Sequence, residues 1–481
     1  MTTTSLESPA PVDTVGTNRW YLSAAPMVRA LVHLCVPMAA AMIVSAVYNL
    51  INAGFIGSLH DSALLAAVTL GAPVLALVMA IGNVFGVGGG ALISRLFGAT
   101  EHDAAKSTDI KRVSSFSFWG SVITGAVIGG LGLLQLHPLV SLLGANDEAV
   151  HATRSFVGVM LAFVPVLAAA VCLEQLVRAE GAARQVMIGL IASTAANVVF
   201  DVLFILVLRW GVSGAALAMG LANLVVITYF ATWLARHSEN VSVSPRWFTL
   251  APSVLKPVLG VGVSTLLQSA FLIVTSLVLN NLAATYGDGP LAAMGVAVRI
   301  AQVPEFLVMG VTLGVLPLLA YSYGKGDRTR LAAALRSSAI TVGGVSLLFA
   351  VPVFLFRDQV FSAFSSDRSV LSIGVVVITA QLTAMIANGF TGLITSLFQA
   401  TGQAMAATVM SVTQGVLFIP VVLLGNLWFG LDGIIWALTA TECAVLLVGI
   451  VMWLVSRGAI NRGLAEGSPE RAEEALEQAE A

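Results

Sequence analysis

Charge is what this sequence has least of. Asp, Glu, Lys and Arg together make up 10% of its 481 residues, against roughly 25% in an ordinary soluble protein. So few charges cannot cover the water-facing surface of the about three soluble domains that this length would otherwise form. The formal net charge of −2, with Lys and Arg in short clusters, excludes a basic nucleic-acid face. Only three cysteines occur, Cys35, Cys172 and Cys443, each inside an apolar run, which leaves no disulfide framework and no structural metal spacing. The polar residues 1–25 carry no cleavable signal pattern. The glycines at Gly86, Gly88, Gly89 and Gly90 are followed by no Lys-Ser/Thr and so make no phosphate loop. With no Ser-His-Asp order and no acid pair at an aqueous boundary, an enzyme is not expected, and no cofactor is called for.

What is there is hydrocarbon: 58% of residues are hydrophobic and the mean hydropathy is +0.93. Residues 30–60, 62–94, 113–146, 257–287 and 369–431 contain no Asp, Glu, Lys or Arg. A bilayer-crossing helix needs about 20 mostly apolar residues, so several of these runs hold more than one. The pattern predicts an all-α membrane protein with twelve transmembrane helices, at 30–57, 63–93, 113–135, 153–179, 184–208, 212–236, 254–285, 290–322, 332–356, 369–399, 404–425 and 431–456. With both termini in the cytoplasm, 18 of the 23 Lys and Arg residues fall in inward segments and four in outward loops, while Arg299 lies in a span. That asymmetry follows the positive-inside rule, so both termini are expected inside a bacterial inner membrane.

A polar stretch at 237–252 divides an N-lobe at 26–236 from a C-lobe at 253–457, with a polar tail at 1–25 and an acidic tail at 458–481. Sliding the first half by 226 positions places Leu65-Ala66-Ala67 on Leu291-Ala292-Ala293, Gly88 on Gly314, Leu92 on Leu318 and Gly98 on Gly324. Later, Gly181 meets Gly402 and Trp210-Gly211 meets Phe429-Gly430. Six helices per half give both halves the same orientation. The expectation is a parallel internal repeat of two six-helix bundles around a central cleft, as in secondary transporters.

Several runs in this order carry a resemblance. They are Tyr48-Asn49-Leu50-Ile51-Asn52-Ala53-Gly54-Phe55-Ile56-Gly57, then Gly86-Val87-Gly88-Gly89-Gly90-Ala91-Leu92-Ile93-Ser94-Arg95, then Arg178-Ala179-Glu180-Gly181, Asn197-Val198-Val199-Phe200-Asp201 and Gly211-Val212-Ser213-Gly214. Together they resemble the multidrug and toxic compound extrusion (MATE) family, bacterial branch, across the whole membrane region. The resemblance implies a two-lobed antiporter that expels organic, often cationic compounds against inward H+ or Na+ flow. It also implies a first-helix bend at Pro37. The family's first-helix motif usually has an aspartate where this chain has Asn52, which cannot titrate near neutral pH.

Ionisable groups inside spans are costly, about 2.5–3.5 kcal/mol or more each, and mark candidate sites. Asp201 follows Asn197 by one helical turn, so the two share a face. With Asn52 at a similar height and Glu174 lower down, they form the candidate coupling set. Asp201 is either the titrating group, with Na+ transiently held by Asp201 and Asn197 as one option, or a buried carboxylate held by amides. Glu174 is either a relay or a hydrogen-bonded acid, and Glu180 is expected in a surface ion pair with Arg178 or Arg184. Arg299, Gln302 and Glu305 recur every three residues on helix eight, with Gln302 placed to bridge the other two; Glu305 suits a cationic substrate or a second proton site, and the alternative is a polar network that holds the lobe's packing. Tyr48, Gln268, Gln381 and Asn388 are further candidates, either for lining the cavity or for helix-helix hydrogen bonding, and Glu442, near the middle of the last span, is read as lobe packing rather than coupling. The partners expected are a small organic substrate and the lipid bilayer, with the chain acting as a monomer. The competing reading is a flippase for a lipid-linked substrate, which would need more basic cavity residues than Arg299 supplies.

Overall fold

The computed structural model describes residues 14–58, 62–143, 147–362 and 368–466. The outer parts of both tails fall outside them. The described residues are mostly helical: α1 (Asn18–Ser23), α2 (Met27–Ser58), α3 (Ser62–Ala99), α4 (Lys106–Leu134), α5 (Leu136–Leu142), α6 (Asp147–Ala162), α7 (Val164–Ala179), α8 (Ala183–Asp201), α9 (Gly211–His237), α10 (Pro252–Ala284), α11 (Asp288–Gly324), α12 (Arg328–Leu355), α13 (Arg357–Ser362), α14 (Arg368–Ala400), α15 (Ala404–Phe429) and α16 (Leu431–Glu466). Among the described residues eleven helices are long and apolar enough to cross a membrane, and α6 with α7 makes a twelfth span bent by 53°. Residues such as Val28, Leu348 and Leu447 are exposed on the outside of the bundle, as a lipid-facing surface requires.

Three expectations need correction. The span at 153–179 is two helices broken at Phe163, because Pro165 has no N–H to continue the ladder and sits at the start of α7. The span at 184–208 is α-helical only to Asp201; Val202–Val207 continue as a π-helical turn. The last helix extends ten residues past 456, so the first part of the presumed tail is helical. α2 runs through Pro37 from Met27 to Ser58, and the proline leaves the His33 carbonyl without its helical N–H.

The two halves repeat in their packing. In the first, α3 packs on α4 and α7, α2 on α8, and α8 on α9; in the second, α11 packs on α12 and α14, α10 on α15, and α15 on α16. Equivalent turns agree as well: Gly181 and Gly402 have φ of +78° and +71°, and Gly211 and Gly430 have +56° and +59°. These left-handed conformations cost a side chain energy and favour glycine, which explains the recurrence seen in the sequence.

The halves meet through α2 with α11 and α3 with both α10 and α11. At one face of the bundle, Gly98 and Gly324, one repeat length apart, each bring a helix backbone against the other half; a Cβ on Gly98 would strike Tyr321 and Lys325, and one on Gly324 would strike Arg95. At this face Glu101 accepts a hydrogen bond from the Tyr321 hydroxyl and forms an ion pair with Lys325. On the same face Arg330 donates to the carbonyls of Leu22, Ala25 and Tyr21 at 2.6, 3.1 and 3.0 Å, tying α1 to α12. The stretch 237–252 is strapped along α4. Trp119 Nε1 donates to the Val243 carbonyl at 2.9 Å, and the Ser114 and Ser115 hydroxyls donate to the Ser242 and Ser244 carbonyls at 3.0 and 2.8 Å.

Candidate functional site

The cavity of interest lies inside the first half, where a carboxylate sits at the end of an α-helix. Asp201 is the last residue of α8, directly before the π-helical turn. A π-turn adds one residue to the helical register and is often found where a helix must re-aim a side chain. Asp201 is 8% exposed and Asn197, one turn earlier, 5%. The hydrogen-bonding environment fixes the Asn197 amide: Nδ2 donates to Asp201 Oδ2 at 2.8 Å, and Oδ1 accepts from the Met219 backbone N–H of α9 at 3.1 Å. The Tyr48 hydroxyl of α2 completes the network on Asn197. Three helices thus converge on Asn197, which in turn holds the Asp201 carboxylate. Among the described residues no cation pairs with it.

Around this cluster is a cavity of about 200 Å³, bounded by Tyr48, Asn197 and Asp201 on its polar side and by Leu75, Phe156, Met160 and Met219 on its apolar side. Val68, Gly71 and Ala72 of α3 complete that wall. The aromatic and thioether lining suits a planar or aliphatic organic body, and the carboxylate suits a positive charge. A buried carboxylate that lacks a counter-cation can be neutralised by a proton or by a bound cation.

The other candidates are distributed as follows. Tyr48, expected to line the cavity, belongs to the Asn197 network. Asn52 lies on α2, and its side chain is outside the described ones. Glu174 does not line this cavity; it faces Arg178 of its own helix, with Oε1 and Nη1 3.8 Å apart. Glu180 is not in an ion pair with Arg178 or Arg184: its carboxylate accepts from the Ser238 hydroxyl. Burial raises its pKa from 4.5 to about 7, and the Ser238 hydrogen bond opposes that rise in part. The sequence spacing could not reveal this, because Ser238 comes from the far end of α9.

In the second half, Arg299 is exposed, Gln302 and Glu305 are half-buried, and no ion pair joins Arg299 to Glu305. Among the described residues no hydrogen bond of Gln302 bridges the two either. Gln268 is exposed, and Gln381 and Asn388 are half-buried. The site reading missed the apolar wall of Phe156, Met160 and Met219 and the Met219 amide. Only the pairing of α8 with α9 brings that amide to Asn197. Among the described residues no cluster of three or more His, Cys, Asp or Glu side chains could hold a metal ion.

The chain matches the family model described as MatE twice, over residues 37–203 and 261–424, once in each half. It is 32% identical over 440 residues to the multidrug export protein MepA of Staphylococcus aureus, covering 91% of this chain and 96% of that protein. The corresponding protein of Staphylococcus saprophyticus is 33% identical over 451 residues, covering 93% and 99%. Among solved structures, a multidrug resistance MATE family transporter in an outward-facing conformation superposes with a TM-score of 0.85 at 23% identity, covering 95% of this chain and all of that one.

Proposed function

The chain belongs to the MatE family, and on that premise we propose that it expels organic, often cationic compounds across the bacterial inner membrane in exchange for inward H+ or Na+. The observation that carries the proposal is Asp201, a buried carboxylate facing a partly apolar cavity with an amide and no cation for a partner. With both termini in the cytoplasm, as the distribution of Lys and Arg supports, the face closed by Glu101, Tyr321 and Lys325 is the cytoplasmic one. On this reading, an ion from outside reaches Asp201 while that face is closed. Neutralising Asp201 weakens its hold on a cationic substrate, which leaves, and the reverse occurs after the lobes rock.

The donor set supports H+ over Na+. Asn197 turns its Nδ2 toward Asp201 and its oxygen toward Met219, so it stabilises an anion rather than offering an oxygen ligand to a metal ion, which needs several. Each chain contains both lobes and the whole cleft, which supports a monomer as the working unit. The test is uptake of a fluorescent organic cation into inside-out vesicles under imposed pH or sodium gradients. Asp201→Asn is expected to abolish gradient-driven uptake. Wild-type transport by this variant under both gradients refutes the coupling assignment, and wild-type uptake that survives collapse of both gradients refutes antiport itself.

A further inference from the structure

The strap that joins the two halves crosses α4 at the edge of that helix's lipid-facing surface. Lys111, Ser115, Trp119, Ile123 and Val127 recur every four residues on α4, each beside the next. The strap covers this row at Ser115 and Trp119. Past the strap, Ile123 and Val127 are 50% and 54% exposed, as residues against hydrocarbon are. At the other end of the row, the Lys111 ammonium lies over the Trp247 ring of the strap, 5.7 Å from its centre. Two tryptophans, Trp119 and Trp247, thus stand where an apolar row gives way to a basic one, which is the preferred level of Trp at a membrane–water interface.

The charges at this level are nearly all of one sign. From Val241 to Val258 the charged residues are Arg246 and Lys256, and Glu239 precedes them at the far end of the strap. The start of α4 adds Lys106, Lys111 and Arg112 against Asp109, which pairs with Arg112 at 3.4 Å. Arg246 and Lys256 are exposed and Lys111 is half-buried. Among the described residues none of these three is in an ion pair. They belong to adjoining elements, since α4 packs both on the turn Pro245–Trp247 and on α10, which carries Lys256 near its start. An ammonium over an indole face keeps N–H donors for an anion. Leu250, between Arg246 and Lys256 in the chain, is 65% exposed. A phosphate attached to an acyl chain satisfies both features, the cations through its charge and the exposed Leu250 and Ile123 through its hydrocarbon.

We propose that Lys111, Arg246, Trp247 and Lys256 form a seat for the headgroup of an anionic phospholipid, which holds the strap between the halves at the membrane surface. On the orientation proposed above, the lipid belongs to the cytoplasmic leaflet. Each basic residue at such a surface strengthens the hold on an anionic lipid by about fivefold. The seat lies on the segment through which the halves are joined, so its occupant fixes the level in the membrane about which they move.

The experiment reconstitutes the full-length chain into nanodiscs of phosphatidylcholine and phosphatidylglycerol, with bromine on the acyl chains of one lipid or the other. The readout is quenching of tryptophan fluorescence, and the share of Trp247 is the difference between wild type and Trp247→Phe. Half-quenching of Trp247 is expected at a mole fraction of brominated phosphatidylglycerol about fivefold or more below that of brominated phosphatidylcholine. The preference should shrink at about 1 M salt, where charges are screened within about 3 Å. Arg246→Gln combined with Lys256→Gln, both at exposed positions, is expected to bring the two lipids within about twofold of each other. Equal quenching by the two lipids in wild type, or a preference that survives in the double variant, overturns the proposal. Glycerol 3-phosphate in solution separates a lipid from a free phosphate: unchanged quenching supports the lipid, and loss of quenching at millimolar concentration overturns it. If the double variant does not remain monodisperse, Lys111→Gln decides between the same outcomes. No transport is measured, so the result is independent of the role given to Asp201.

Discussion

Removing Glu101 should loosen the face at which Gly98 and Gly324 bring the two lobes together. This carboxylate, just past the end of α3, holds the C-lobe in two ways. It accepts from the hydroxyl of Tyr321, which is fully buried, and it pairs with Lys325, the two side chains being 19% and 26% exposed. A hydrogen bond to a charged group is worth about 1.5–3 kcal/mol. A partly exposed ion pair adds about 0.2–1 kcal/mol. Glu101→Ala therefore costs the closed arrangement about 2–4 kcal/mol, which moves a closed-to-open ratio by about 30–900-fold. Tyr321→Phe, which loses the hydroxyl and keeps the ion pair, should move it in the same direction by less. The assay is a distance distribution between spin labels on Asp103→Cys and Arg328→Cys, both exposed at this face, in a chain whose exposed Cys443 is replaced by Ser. A new, longer distance population is expected in Glu101→Ala and a smaller one in Tyr321→Phe. Distributions indistinguishable from wild type in both variants would refute the assignment of this cluster as a latch.

Glu180 gives a pH-dependent stability with a definite sign. Its folded pKa is raised from 4.5 to about 7, so the folded chain binds this proton more tightly than the unfolded chain. The associated stability is present below about 4.5 and is lost as pH rises through about 7, with a ceiling of about 3 kcal/mol. Thermal unfolding in detergent should therefore show a fall in Tm across this window that Glu180→Gln flattens; an equal slope in the variant contradicts the reading. The strap between the lobes should loosen when Trp119→Phe and Ser115→Ala are combined, since each removes one hydrogen bond of about 1 kcal/mol to 237–252. Limited proteolysis is then expected to cut within 238–250 several-fold faster than in wild type, and an unchanged rate counts against the strap.

Much of the fold was legible because its signals are local. Runs without charge locate the spans, and left-handed turns at Gly181, Gly402, Gly211 and Gly430 write the repeat into the sequence as recurring glycines. The pairing of Asn197 with Asp201 was legible for the same reason, as residues one helical turn apart. What stayed hidden depends on contacts between distant helices. Ser238 reaches Glu180 from across α9, and Gln414 reaches Glu442 from α15; neither partner is within a helical turn of its acid. The break at Phe163 and the π-turn after Asp201 were hidden for another reason. Both keep the hydrophobic pattern of a continuous span, and the composition test that finds spans is blind to hydrogen-bond register.

α3 gives the two ends of the molecule a mechanical connection. It lines the cavity near Asp201 with Val68, Gly71, Ala72 and Leu75, carries Pro73 within that wall, and ends at Arg95 and Gly98 against the C-lobe. From Gly71 to Gly98 the helix rises about 40 Å, so a tilt of about 5° at the cavity displaces its far end by about 3.5 Å. That exceeds the tolerance of the Glu101 hydrogen bond and ion pair. A bound ion can supply the required work only through a difference in its affinity for the two arrangements. To release a latch worth about 2–4 kcal/mol, it must bind the open arrangement about 30–900-fold more tightly than the closed one. A carboxylate that is half of a single buried pair in one state and newly desolvated or newly paired in the other can differ by that much. α3 thus connects two of the places where the proposed cycle exchanges energy: the cavity at Asp201 and the seam of the lobes at Glu101 and Lys325.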